Sequence, residues 1–275
     1  MGKLAVKIAS ICMGMLLAIL FISSKYCLDY GHPQMELSVD GDKTEAGPFY
    51  QPPESNSFKK TATAERPITD KVTSHSYEFM YEKYLATRRH HRLKLLEIGL
   101  GCDMRYGPGA SATLWRKYLP HAELWFADFD ADCVARHRSR LDAINVKAVT
   151  GDQTDVETLK SWVNETKGGF DVIVDDGGHQ NQQILASFTV LFQNALKPGR
   201  VYFIEDLQVS RHNAWRGTGP IVLDVLHDWQ ESLLTKRIYD PNGDHIPPSN
   251  IKSIDCMAEA CIITKCTSDD ATCPF

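Results

Sequence analysis

The sequence predicts an α/β fold: an open, doubly wound, mostly parallel seven-stranded sheet with an antiparallel hairpin at its C-terminal end. Three observations predict it. Short apolar runs alternate with amphipathic stretches from Leu93 onward, the pattern of parallel strands joined by right-handed crossovers. The runs end in glycine or in carboxylates, where sheets of this kind hold their ligands. The last two runs, "IKSIDCM" and "ACIITKC", follow one another directly and read as a hairpin.

Taken in order, the chain opens on "MGKLAVKIASICMGMLLAILFISSKYC", with Lys3 and Lys7 ahead of an apolar run from Ile8 to Ile22. A membrane span takes about 20 apolar residues and a signal core about 7 to 15, so the run sits between the two. The lysines hold the N-terminus in the cytosol and send the remainder across. Residues 1–28 are therefore expected to be a signal-anchor. The alternatives are a cleaved signal peptide, for which Ser24 offers a weak site, and a buried helix. Either of the first two places the domain in the secretory pathway: lumenal in the Golgi or endoplasmic reticulum, or secreted if the segment is cut. Membrane contact is expected through this segment only. Residues 29–66 are rich in Pro, Gly and polar residues without periodicity and read as a flexible stem. The folded domain is expected over 67–275.

That domain begins with "ITDKVTSHSYEFMYEKYLATRR", where Tyr77, Met80, Tyr81, Tyr84 and Leu85 recur at helical spacing and are expected to pack in the core. "LKLLEIG" is the first strand, and "SATLWRKYLP" a helix stopped by Pro120. "AELWFADFD" is the second strand, "ADCVARHRSRLDA" a helix, "NVKAVTGD" the third strand. "TDVETLKSWVNE" is a helix capped by Thr154 or Asp155. "FDVIVDD" is the fourth strand, "QNQQILASFTVLFQNALKPG" a helix, "RVYFIEDLQ" the fifth strand and "PIVLDVLHDWQESLL" the last helix.

Composition narrows the function. Of 275 residues 43% are hydrophobic and 24% charged, and the net charge of -5 argues against a nucleic-acid binder, which would carry a basic face. Eight cysteines include four (Cys256, Cys261, Cys266, Cys273) in the last twenty residues. In an oxidising lumen these form two bridges, in any of three pairings, and otherwise they stay as thiols. No CxxC pair is present, which argues against a zinc knuckle. "NET" at Asn164 is an acceptor pattern for N-glycosylation.

The strand ends carry the chemistry. Gly99 and Gly101 in "EIGLGC" allow a tight turn and close approach to a ligand. The loop lacks the GxGxxG spacing, which argues against NAD or FAD. Asp128 ends the second strand, roughly thirty residues further on, where an acid accepts hydrogen bonds from ribose hydroxyls. Asp152 ends the third, beside the place of a base. Together they describe a nucleoside site, although each alone also reads as a turn or cap residue.

"LLEIGLGC", "FADFD" and "VTGDQTD" resemble the first three motifs of the class I S-adenosylmethionine-dependent methyltransferases, whose fold is Rossmann-like. The resemblance runs from about Lys94 to Lys265. It implies that Glu97, Gly99 and Gly101 line the methionine part, that Asp128 holds the ribose, and that Asp152 and Gln153 lie near adenine. "VDDGGH" and "FIEDLQ" are similar to metal-dependent sugar O-methyltransferases of the macrolide-tailoring type and to the cephalosporin-hydroxylase-like group. By that resemblance Asp176, Glu205 and Asp206 bind Mg²⁺, His179 is the general base, and Asp175 faces the cofactor or a helix terminus.

Elementary electrostatics agrees. Three carboxylates at neighbouring strand ends repel one another unless a cation neutralises them, and oxygen ligands suit Mg²⁺, Mn²⁺ or Ca²⁺. A chelated sugar diol has a lowered hydroxyl pKa, and His179 could take its proton as the oxygen attacks the sulfonium methyl. The bland alternative makes Asp175 and Asp176 helix caps. The expected activity is an O-methyltransferase acting on a hydroxyl of a sugar or glycan-type acceptor, with His212, Trp215 and Arg216 in its acceptor loop. The competing expectations are a lumenal glycosyltransferase using Asp128 and Asp130 and a non-catalytic cofactor-binding module.

Overall fold

The computed structural model describes residues 57–241, 243, 245–270 and 273. The expected anchor, all of the expected stem before Ser57, and Cys12 and Cys27 lie outside the described residues. Among the described residues no helix is long and apolar enough to cross a membrane.

Seven strands form one sheet: β1 (Lys94–Ile98), β2 (Glu123–Asp128), β3 (Val146–Thr150), β4 (Phe170–Asp175), β5 (Leu196–Ile204), β6 (Ile251–Met257) and β7 (Ala260–Lys265). Their order is β3-β2-β1-β4-β5-β7-β6. The first five are parallel, and β7 inserts antiparallel between β5 and β6. The predicted hairpin is therefore present, and it places β6 rather than β7 at the edge. The order reverses between β1 and β4, so the carboxyl ends of those two strands flank the switch point where such sheets bind ligands.

Among the described residues seven helices cover the sheet: α1 (Ser57–Ala64), α2 (Glu78–Leu85), α3 (Ala110–Tyr118), α4 (Ala131–Ala143), α5 (Val156–Thr166), α6 (Asn181–Asn194) and α7 (Val222–Thr235). Alternate strand residues feed two cores. Leu95, Val172 and Phe203 pack on one face with Phe58, Tyr81 and Trp115. Leu96, Ile173 and Tyr202 pack on the other with Trp162, Phe188 and Trp229. Burial of both faces explains why the central strands read as continuous apolar runs rather than as alternating ones.

One boundary differs from expectation. The stem was expected to reach residue 66, but α1 belongs to the fold. Its Phe58 is fully buried, stacked on Tyr81 at 4.8 Å between centroids and edge-on to Tyr118 at 5.1 Å. The Glu82 carboxylate accepts from Phe58 N at 2.9 Å and Ser57 Oγ at 2.8 Å, satisfying the start of the helix. One aromatic in "SFKKTATA" is too little periodicity to reveal this from sequence. The caps are also informative. Asp155 caps α5 as expected, whereas Gln180 and Gln183 form a capping box on α6. Neither Asp175 nor Asp176 caps that helix.

The cysteine pairing is Cys256–Cys261, Cys266–Cys273 and, unforeseen, Cys102–Cys133. Every described cysteine is thus bridged. Asn164 is exposed on α5, while the Thr166 hydroxyl of the same triplet is turned inward onto Trp162 O at 2.7 Å.

Candidate active site

Above the switch point lies a cavity of about 740 Å³. Its walls include Gly99, Gly101, Asp128, Asp152, Gln153, Asp176, His179 and Asp206, together with Thr69, Asp70 and His75 from the segment before α2. Most of the expected cofactor residues and three of the four expected chemical residues therefore share one space, whereas Glu97, Asp175 and Glu205 do not line it.

The glycine loop turns as expected, for a partly different reason. Gly99 has φ +99, and a Cβ there would lie 2.1 Å from the carbonyl oxygen of Asp176. The close approach that needs glycine is between the ends of β1 and β4. Asp128 accepts from Leu100 N and from Asp130 N, both at 2.8 Å, which fixes the carboxylate at the cavity wall. Burial raises its pKa despite those two donors. Asp130 caps α4 through Cys133 N at 2.8 Å, so the Asp128–Asp130 pair has other duties than sharing an ion. Phe129 between them is 77% exposed and lines the cavity. The Cys102–Cys133 bridge ties the glycine loop to α4 directly beside them.

Asp152 reaches the cavity while accepting from Thr154 N and Oγ1 at 2.8 Å. Gln153 is buried and bridges the end of β4 and the turn after it: its amide donates to Asp175 Oδ1 at 3.2 Å and its oxygen accepts from Gly178 N at 3.0 Å. Two expected cofactor contacts lie behind the cavity wall instead. Asp175 is 1% exposed and accepts from Ser187, Tyr202 and Gln153. Burial pushes its pKa up against those three donors. It is a buried strut that holds Gln153 and through it the Gly177-Gly178 turn. Glu97 is fully buried and bonded by the Trp115 indole. Burial, reinforced by repulsion from Asp176 and opposed by Lys71, brings its carboxyl up to about 7.

The acidic cluster is divided in two. Asp176, His179 and Asp206 each offer a ligand atom, all within 4.8 Å of one another. His179 Nε2 lies 3.5 Å from Asp206 Oδ2. Asp206 also accepts from Tyr77 OH at 3.0 Å and from Gln208 at 2.9 Å. Burial raises the pKa of Asp206, but His179, Gln208, His75 and Tyr77 outweigh that and hold it below the usual carboxylate range. His179 (φ +58) and Asp206 (φ +56) both adopt left-handed backbone, rare outside glycine. Such conformations persist where the surroundings over-determine them, and they concentrate at functional sites.

Glu205, expected as a third ligand, is not in that cluster. It is 1% exposed and is bonded by Lys71 Nζ and Tyr81 OH. Lys71 sits in the 3₁₀ turn Asp70–Val72 and also contacts Asp176 Oδ2 at 2.6 Å and Glu97 Oε1 at 3.2 Å. Burial opposes its charge, but Asp176, Glu205 and Glu97 outweigh burial and raise its pKa. Lys71, His75, Tyr77 and Tyr81 were not singled out for the site from sequence. The tyrosines do pack as the stripe predicts, and their hydroxyls additionally reach the two β5-end acids. Trp215 lines the cavity edge-on to His179 at 5.9 Å, while His212 and Arg216 are exposed on the same loop.

Two kinds of comparison bear on this site, and no family model matches the chain. Over 141 residues, half of this chain, it is 30% identical to the mycinamicin VI 2''-O-methyltransferase of Micromonospora griseorubida. Over 150 residues it is 33% identical to the 8-demethyl-8-alpha-L-rhamnosyl tetracenomycin-C 2'-O-methyltransferase of Streptomyces olivaceus. The chain is a homologue of sugar O-methyltransferases. It spans about a third of the length of these methyltransferases, 32% and 38%. The MycE methyltransferase of the mycinamycin pathway, solved with Mg, SAH and mycinamycin VI, superposes with a TM-score of 0.64 at 23% identity, over 78% of this chain and 54% of that one. The seven-stranded sheet is thus the class I methyltransferase fold.

Proposed function

We propose that this methyltransferase homologue is an S-adenosylmethionine- and Mg²⁺-dependent O-methyltransferase acting on a sugar hydroxyl. One observation carries it: the nucleoside-type wall (Gly99, Gly101, Asp128, Asp152) and the Asp176–His179–Asp206 cluster open into the same cavity. The two carboxylates that converge from the ends of β4 and β5 fit a hard divalent ion. Asp176 and Asp206 would hold that ion. When bound, the ion lowers the pKa of a coordinated hydroxyl and the cofactor supplies the methyl group.

The chain's own residues do the rest. His179 accepts the hydroxyl proton on Nε2, and the nearby Asp206 carboxylate stabilises the imidazolium that forms. Asp206 is held in turn by Tyr77 and Gln208. Asp128 positions the ribose, and Gln153 fixes the turn that presents His179. Trp215 offers an aromatic face to a sugar ring. Methyl transfer needs in-line placement rather than a covalent enzyme intermediate, so positioning accounts for most of the rate. The names of the relatives support a sugar as acceptor. The three disulfides and the apolar N-terminal run support a lumenal domain in the secretory pathway.

The test is calorimetric titration of the full chain with S-adenosylmethionine, beside a methyl-transfer assay on a glycan panel. Cofactor binding with Mg²⁺-stimulated transfer is expected. Asp176→Ala should lose transfer while keeping most cofactor affinity. A chain that binds no cofactor with or without Mg²⁺ would end this reading.

A further inference from the structure

The division of the acidic cluster has a cause on the N-terminal side of the fold. Lys71 is 1% exposed, and its ammonium meets three carboxylates from three different strand ends. Those are Glu97 in β1, Asp176 just after β4 and Glu205 just after β5. Tyr81 closes the second oxygen of Glu205. Both oxygens of Glu205 are thereby spoken for, and the residue is buried away from the cluster that Asp206 completes. Glu97 Oε1 has no well-aligned hydrogen bond although the ammonium lies 3.2 Å away, so the three acids share one cation incompletely.

We infer that Lys71 is a built-in cation of this site, which takes Glu205 out of reach of a divalent ion and leaves that ion to Asp176 and Asp206 beside His179. This deepens the proposed function and rests on it. Asp176 is the hinge between the two halves, with one oxygen on Lys71 and a ligand atom turned to the cluster. Lys71 acts as a positioning residue: it orients Asp176 and neutralises the strand ends without touching the substrate. Removing one partner of a buried charge cluster strands the others, so a variant lacking the ammonium gains from taking up a cation from solution.

The experiment is Mn²⁺ titration of the full chain, read by the electron paramagnetic resonance of the free ion, with S-adenosylhomocysteine calorimetry run in parallel. Neither readout depends on turnover. Glu205→Gln is expected to weaken Mn²⁺ binding by less than about threefold, and Asp206→Asn by more than about tenfold, or ~1.4 kcal/mol. Lys71→Met frees Glu205 and is expected to bind Mn²⁺ more tightly than the wild-type chain. It should also show a larger rise in melting temperature with Mn²⁺ than wild type does. Equal losses in Glu205→Gln and Asp206→Asn would overturn the inference, because they would put Glu205 on the ion. If Lys71→Met does not fold, the comparison of the Glu205 and Asp206 variants decides alone. A wild-type chain that binds the cofactor product but no Mn²⁺ would remove the divalent-ion reading itself, and this assignment with it.

Discussion

Breaking the Cys102–Cys133 bridge should damage the fold and the cofactor site together. The two residues are 31 apart in sequence and join the loop after β1 to the helix after β2. Loop-closure entropy for a cross-link of that span corresponds to about 4 kcal/mol of lost stability. For a domain of this size that is a fall in Tm of roughly 8 to 16 °C. The loop carries Gly99, Gly101 and the Leu100 amide that fixes Asp128. Releasing it adds backbone freedom that binding must remove, at about 1–2 kcal/mol per residue, so S-adenosylhomocysteine affinity should fall by about tenfold or more. The variant is Cys102→Ser with Cys133→Ser, compared by thermal melting and calorimetry with the wild-type chain before and after mild reduction. A double variant that melts within about 2 °C of wild type and binds the ligand equally well would refute the argument. It would mean that the loop is held by its hydrogen bonds alone.

Phe58→Ala should cost about 3–5 kcal/mol, the usual loss for a fully buried phenylalanine, measured by urea denaturation; a change typical of a solvent-exposed stem residue would remove α1 from the fold. Gly99→Ala places a methyl 2.1 Å from the Asp176 carbonyl at φ +99, so cofactor and Mn²⁺ binding should both fail, and calorimetry retaining either at wild-type strength would contradict that geometry. Glu97 gives a pH test. Its carboxyl rises from an ordinary 4.5 to about 7 in the fold, so the folded state binds the extra proton and stability is lost as pH climbs through that window. At ~1.36 kcal/mol per pH unit the difference is about 3 kcal/mol. Glu97→Gln should therefore flatten the fall of Tm between about pH 4.5 and 7, and an unchanged pH profile would count against it.

The strand ends were readable because they violate an expectation. Apolar runs that stop in Asp128, Asp152, Asp176 or Glu205-Asp206 have no packing reason to do so, and the parallel topology then gathers them at one end of the sheet. Residues whose unusual state exists only in three dimensions were not readable. Lys71 lies in a polar stretch, where a lysine is ordinarily solvated, and only the packing of α1 and α2 over the sheet buries it. Glu97 and Glu205 look like their neighbours in sequence, yet one is bonded by Trp115 and the other by Tyr81, partners 18 and 124 residues away. Cys102 and Cys133 gave no spacing signal because their pairing depends on the loop after β1 meeting the first turn of α4 beside Asp128.

The Lys71–Glu205 contact spans 134 residues. Contacts that distant close only after most chain entropy has been surrendered. The ammonium is made before the three acids it will meet, and its set of counter-charges is complete only once β5 and the Glu205 that follows it are laid into the sheet. Glu205 and Asp206 are adjacent in the chain, so the same strand end completes both the buried charge cluster around Lys71 and the ligand cluster beside His179.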